Sequence, residues 1–151
     1  MKYYYSYRTG MCQIWICEEN NHITRVSFHK PEDGYTEQET RLIREAARQI
    51  DEYLDGERTS FNLPLNPQGT TFQKSVWDAL IKVYYGETRT YKQIAEEIGN
   101  PKSCRAVGLA NNKNPIAIII PCHRIIGSNG KLVGYAGGLD VKEKLLYLER
   151  R

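Results

Sequence analysis

Pro121-Cys122-His123-Arg124 closes a short apolar run and places a thiol, an imidazole and a guanidinium on consecutive residues. A thiol reacts as the thiolate, and a neighbouring imidazole or cation lowers its pKa from about 8.5 toward the working range. Free cysteine usually behaves as a small buried hydrophobe, but an inert core thiol needs neither His123 nor Arg124 beside it. The cluster therefore reads as a nucleophile site, with Cys122 attacking and His123 as its base. Adjacent side chains of an extended segment point apart, so His123 is expected to act through a bridging water. Glu149 lies about 80° from Val141 around the last helix, at the edge of its apolar stripe. A carboxylate there would orient the imidazole in a Cys-His-Glu relay of the triad type; a solvated or lysine-paired glutamate is the plainer alternative.

Several elements must position these groups. Met11 to Cys17 and Ile23 to Phe28 are β-forming runs around the turn cluster Glu18-Glu19-Asn20-Asn21, which reads as a hairpin. Thr36-Glu37-Gln38-Glu39 has capping-box spacing, and apolar residues then recur at helical period, predicting a helix over 37–54 that Asp55-Gly56 stops. Phe61 to Gly69 carries two prolines and a glycine and reads as a linker, dividing the chain into domains at 1–66 and 67–151. Beyond it, Thr71 is the expected N-cap of a helix carrying Phe72, Val76, Ala79, Leu80 and Val83. Tyr91 to Ile98 and Ser103 to Asn111 then form two short helices across Gly99-Asn100-Pro101, the outline of a helix-turn-helix. Lys102 and Arg105 sit where its second helix begins, and Ala106 and Gly108 keep that helix surface low enough for DNA to approach. Cys104 is expected to pack inward. A final helix carries Val141, Leu145 and Leu148.

The chain has 151 residues, 40% of them apolar and 26% charged, and a net charge of +3. That composition excludes disorder and collagen. The longest apolar stretch, Ile116 to Ile120, is far below the roughly 20 residues of a bilayer span. A soluble cytoplasmic protein with reduced thiols is expected, since four cysteines without a secretion signal do not form a disulfide framework. The small net charge averages opposites: residues 1–66 sum to −3 and residues 67–151 to +6. No carboxylate occurs between Ile98 and Leu139, a window that holds Lys102, Arg105, Lys113, Arg124 and Lys131. The second half is thus the expected contact for a polyanion.

The run Ile120-Pro121-Cys122-His123-Arg124-Ile125-Ile126, followed by Gly134-Tyr135-Ala136-Gly137-Gly138, resembles the signature of the O6-alkylguanine-DNA alkyltransferases. The likeness extends from about Thr71 to Glu149 through Thr90 to Ala95, Asn100-Pro101-Lys102 and Arg105 to Gly108. It implies an α+β protein: a small antiparallel sheet with a helix, ribonuclease H-like, then a mostly helical, winged-helix-like domain with the helix-turn-helix. It implies irreversible transfer of the alkyl group from guanine O6 to Cys122, with His123 deprotonating the thiol through water and Glu149 holding the imidazole. Tyr91 would donate toward guanine N3, and Asn114 would tie the recognition helix to the active-site loop. Arg105 would fill the gap left by a flipped base, and Lys102, Ser103, Ala106, Gly108, Asn111 and Arg124 would contact DNA. Backbone groups of Cys122, Ile125 and Ala136, with Tyr135 and Gly137 shaping a lid, would frame the base.

The partner so implied is double-stranded DNA containing O6-alkylguanine, met by a monomer with no cofactor, no metal and no membrane. An alkyl group on O6 lies within a stacked base, so a pocketed thiol requires the nucleotide to be flipped out, at a cost of a few kcal/mol. The family's helix-turn-helix approaches the minor groove, where sequence readout is poor, as suits a lesion searcher. Two other readings stand beside this one. A lesion-binding module of the alkyltransferase-like kind lacks the cysteine, so Cys122 speaks against it. A helix-turn-helix regulator predicts sequence-selective binding and no covalent product.

Overall fold

The computed structural model describes residues 1–150, in two compact units. The first is Met1–Gln68 with Pro115–Ile119; the second is Gly69–Asn114 with the chain from Ile120 onward. The contiguous division read from the sequence misses one segment, because Pro115–Ile119 pairs with the edge of the first unit's sheet. No described helix is long and apolar enough to cross a membrane.

In the first unit, β1 (Lys2–Arg8), β2 (Gln13–Glu19), β3 (His22–Ser27) and the two-residue β4 (Thr36–Glu37) form a sheet of order β3-β2-β1-β4. Strands β2 and β3 are the expected hairpin, and Asn20 and Asn21 turn it with φ of 53° and 63°. Two positive φ angles match strand twist in a two-residue loop, and asparagine tolerates them. Strand β1 was not foreseen. Tyr3, Tyr4, Tyr5 and Tyr7 blur the alternation that marks a half-buried strand, and only pairing shows that Tyr5 stands opposite Ile16 and Tyr7 opposite Ile14.

Helix α1 (Arg41–Leu54) starts four residues later than expected, because Thr36 and Glu37 pair with β1 as β4. Thr40 is the N-cap: its hydroxyl accepts from Ile43 N at 3.1 Å and donates to the buried Glu18 carboxylate. The face carrying Ile43, Ala46, Ala47, Ile50 and Tyr53 is buried. Val26 N donates to Pro115 O and Ala117 N to Val26 O, both at 2.9 Å, which docks the apolar run beside β3. Ile118, at φ 70°, is the centre of a tight turn closed by Ile119 N to Ala117 O at 2.7 Å. A β-branched residue in that conformation is strained.

The second unit is helical. Helix α2 (Thr71–Ile81) is capped by Thr70, one residue earlier than expected, in a box with Gln73. After β5 (Arg89–Thr90), helix α3 (Tyr91–Glu97) is capped in the same way by Thr90 and Gln93. Gly99, at φ 80°, ends it, and helix α4 (Cys104–Asn112) follows as the second arm of the helix-turn-helix. A 3-10 turn at Cys122–Arg124, β6 (Ile125–Ile126) and helix α5 (Leu139–Arg150) complete the unit. Trp77 anchors its core, 1% exposed, and its indole N–H donates to Ala110 O at 2.9 Å, pinning α2 to α4. Gly69 lies against that indole; a Cβ there would stand 2.4 Å from Trp77 Cη2. The expected inward packing of Cys104 is incorrect. It is exposed, because Val107, Ala110 and Asn111 form the inner face of α4.

Candidate active site and nucleic-acid face

Proline sets the nucleophile. Pro121, at φ −80° and ψ 63°, is the centre of a turn in which Cys122 N donates to Ile120 O at 2.7 Å. Its ring pre-sets that φ, so the turn costs little backbone entropy. Asn114 Nδ2 donates to the same Ile120 carbonyl at 2.8 Å. Asparagine thus braces the turn that carries Cys122. Parallel pairing of Arg89 with Ile125 and Thr90 with Ile126 then sets the start of α3, and Tyr91 with it, beside the cysteine segment.

Glu149 is buried rather than solvated. It is 5% exposed, and His123 Nε2 lies 2.8 Å from its Oε2. Arg124 donates to both carboxylate oxygens, Nε at 2.8 Å and Nη2 at 3.0 Å, and Gly86 N donates to Oε1 at 3.2 Å. A carboxylate so supplied is ionised and only accepts, so His123 carries its proton on Nε2 and keeps Nδ1 as the basic nitrogen. Burial is the main cause that pushes the His123 pKa below its ordinary value; Glu149 opposes the shift and Arg124 adds to it. The imidazole is therefore neutral at pH 7 and able to take a proton.

The cysteine differs from expectation. Burial pushes its thiol up to about 11, and the Asn114 hydrogen bond and the Lys142 charge offset only part of this. Desolvation of an anion outweighs a cation held at a distance. Cys122 is consequently a thiol at rest. Nor is the segment extended; the 3-10 turn carries Cys122, His123 and Arg124 in three directions.

Two residues assigned to DNA contact lie elsewhere. Arg124 is 6% exposed, and besides Glu149 it donates to Val83 O at 2.7 Å. Its guanidinium is taken up by Glu149 and the Val83 carbonyl. Asn111 is also buried, with Nδ2 3.5 Å from Cys122 O. The spacing that placed Asn111 on the recognition helix was right, but it lies on the inner face. Lys102, Arg105 and Ala106 are exposed, and Ser103 and Gly108 are half-buried. Ser103 donates to Asn100 O at 2.6 Å and does not cap α4. Leu109, 62% exposed one turn after Arg105, belongs to the same outer face and went unread; an apolar residue at i+4 was the available signal.

The lid residues also have defined places. Tyr135 stands edge-on to the His123 ring, with centroids 6.5 Å apart. Ala136 is exposed and Gly137 half-buried, whereas Ile125 is fully buried and its N–H donates to Cys122 O. Tyr91 Oη donates to Val133 O at 3.0 Å. Lys142, absent from the sequence reading, is 0% exposed and donates through Nζ to Val133 O at 3.0 Å and Gly134 O at 3.4 Å. Its position after Val141 on the stripe side of α5 was the only signal in the sequence.

The chain thus joins a four-stranded sheet unit to a helix-turn-helix unit that holds a buried thiol, Cys122, next in sequence to a buried His123–Glu149 pair. The family model for the 6-O-methylguanine DNA methyltransferase ribonuclease-like domain matches residues 2–67, and that for its DNA binding domain matches 71–151. The methylated-DNA–protein-cysteine methyltransferase of Methanosarcina acetivorans is 53% identical over 97% of each chain. The constitutive enzyme of that name from Bacillus subtilis is 43% identical over 99% of this chain and 96% of its own. The crystal structure of Mycobacterium tuberculosis OGT in complex with DNA superposes with a TM-score of 0.93 at 41% identity, covering 98% of this chain and 92% of that one. This chain belongs to the O6-methylguanine DNA methyltransferase family. By family it is a DNA-repair methyltransferase with a DNA-binding domain.

Proposed function

We propose that the protein repairs DNA by moving the alkyl group of O6-alkylguanine irreversibly onto Cys122, once per molecule. The observation that carries this reading is the buried His123–Glu149 pair, 2.8 Å apart, with His123 on the same 3-10 turn as the buried Cys122, in the unit that bears the helix-turn-helix. His123 Nδ1 takes the thiol proton through a water, and Glu149 stabilises the imidazolium. The sulfur attacks the alkyl carbon, the C–O6 bond breaks, and its electron pair stays with guanine. Tyr91 supplies a proton toward N3, so that neutral guanine leaves. A thioether offers no path back, which makes the protein a single-turnover reagent.

The DNA face in this reading is the outer side of α4. Arg105 enters the stack as the base flips out, and Ala106, Gly108 and Leu109 lie against the minor groove. Lys102 and the backbone near Ser103 meet phosphate. Lid residues Tyr135, Ala136 and Gly137 and the backbone at Ile125 frame the flipped base. The protein acts as a monomer in the cytoplasm.

Incubation with an oligonucleotide carrying O6-methylguanine, followed by intact and peptide mass spectrometry, tests the proposal. One methyl group per protein is expected on the Cys122 peptide and none in Cys122→Ala. Unmodified wild-type protein that still binds the lesion would overturn it in favour of a lesion-binding module, and tight sequence-selective binding with no adduct would favour a regulator.

A further inference from the structure

Asn111 presents a physical puzzle. It lies on the inner face of α4 with Val107 and Ala110, 3% exposed, where an apolar side chain would serve packing and helix formation better. Its amide gains little from the protein. Nδ2 lies 3.5 Å from Cys122 O, at the outer limit of a hydrogen bond, and among the described residues Oδ1 has no hydrogen-bond partner. The Cys122 carbonyl already accepts from Ile125 N in the 3-10 turn. Buried polar atoms are satisfied as a rule, so an orphaned acceptor beside a nucleophile calls for a ligand small enough to reach it. A buried water fits, because it makes about three hydrogen bonds and settles where polar atoms of several residues converge. The side chains of Cys122 and His123 leave one 3-10 turn in different directions, and a proton passing between them needs a carrier.

We infer that Asn111 is a positioning residue for proton transfer, whose Oδ1 anchors the water that carries the Cys122 proton to His123. Oδ1 only accepts, so it takes one O–H of the water and fixes the rest of the molecule. The second O–H then points to His123 Nδ1, and a lone pair faces the thiol. In the step itself the S–H bond breaks and its proton joins the water, while the water's own proton passes to Nδ1. The electron pair left on sulfur attacks the alkyl carbon, and the water is regained unchanged. The charged and titratable groups around the thiol are His123 and Arg124 on its own turn, Glu149 and Lys142 on α5 and Tyr91 on α3. The buried side chains of α4 are Val107, Ala110 and Asn111, so that helix adds a polar group without a charge. The inference rests on the proposed transfer to Cys122, with His123 as base, and it is separate from Asn114, which holds Ile120 O.

Asn111→Leu tests it by single-turnover transfer of methyl from O6-methylguanine DNA, with the half-saturating DNA concentration and the saturating rate measured separately from about pH 7 to about pH 9. A positioned base contributes roughly 10²–10⁴-fold, so the leucine variant is expected to lose at least about tenfold in saturating rate at pH 7, with the half-saturating concentration changed by less than about threefold. The pH profile carries the distinction. Wild type should be level over this range, because burial keeps His123 neutral and ready to take the proton. Without the anchored water, transfer depends on thiolate in equilibrium with solvent, and the rate should climb about tenfold per pH unit toward the thiol pKa of about 11. A saturating rate within about twofold of wild type, a loss confined to the half-saturating concentration, or a lower rate with a level profile overturns the anchor. In wild-type crystals at atomic resolution an ordered water should lie within about 3.2 Å of both Asn111 Oδ1 and His123 Nδ1; the lack of a shared water there overturns the anchor even if the leucine variant does not fold. A wild-type protein that takes no methyl on Cys122 removes the parent reading and the inference together, whereas a methylated wild type matched by an equally fast Asn111→Leu removes the anchor alone.

Discussion

Replacing Glu149 by glutamine separates the two tasks of that carboxylate. In the native protein it accepts from His123, twice from Arg124 and from Gly86 N, and its side chain is 1% exposed. Glutamine keeps the size but leaves the Arg124 guanidinium buried without an opposite charge and turns an N–H toward groups that are themselves donors. Removing one partner of a buried pair costs about 3–5 kcal/mol. At about 2–4 °C per kcal/mol for a chain of this size, the melting temperature should fall by roughly 6–20 °C. Alkyl transfer should fall further than stability explains, by about 10⁴-fold, because the imidazole loses the acceptor that fixes its tautomer. Combining Glu149→Gln with Arg124→Met removes the stranded charge and should restore most of the stability while transfer stays low. Thermal melts and single-turnover methylation of the three proteins make the comparison. A single variant that melts within 2 °C of wild type, or a double variant that recovers transfer along with stability, would refute the reasoning.

Three further outcomes follow from the packing and the charges. Gly69→Ala places a Cβ into the Trp77 indole that pins α2 to α4, and a denaturant melt should show a loss of about 1–3 kcal/mol. Gly108→Ala should do the reverse, since the nearest atom to a new Cβ is the Tyr91 ring at 3.8 Å and alanine is favoured in helices by about 0.8–1.0 kcal/mol. The same change should slow repair of duplex DNA while leaving reaction with free O6-benzylguanine intact, and so should Arg105→Ala; equal losses on both substrates would contradict their place on the DNA face. Burial holds the His123 pKa below its unfolded value near 6.5, so on acidification the unfolded chain binds a proton that the folded one refuses. Stability should therefore fall as pH drops below about 6.5, by at most roughly 1.4 kcal/mol per unit from this group, and urea midpoints of wild type and His123→Asn should converge toward acid pH.

The reactive segment was legible because its information is local. Proline before cysteine, histidine and arginine after it, and asparagine before Pro115 are choices that only a turn bearing a nucleophile requires. The helix-turn-helix was legible for the same reason, since the breaker Gly99-Asn100-Pro101 parts its two helices within three residues; the serine at 103, which has the type of an N-cap, does not act as one. Charge patterning likewise separated an acidic half from a basic one.

Tertiary structure decided what depends on direction and on distant partners. Arg124 and Asn111 looked available for DNA as one-dimensional symbols, yet one faces Glu149 and the other the inner side of α4. Glu149 could not be told from a solvated helix residue until α5 brought it to His123, some 26 positions away in the chain. Thr36 carried a capping signature, but pairing of Thr36 and Glu37 with β1 took precedence and moved the cap to Thr40. The thiol pKa moved opposite to the local expectation, because desolvation depends on everything that surrounds the sulfur and neighbouring residues supply only part of it. Sequence alone thus determined which chemistry was present and roughly where it lay along the chain. The fold determined which groups are dry and which meet, and through these the protonation state in which the reaction begins.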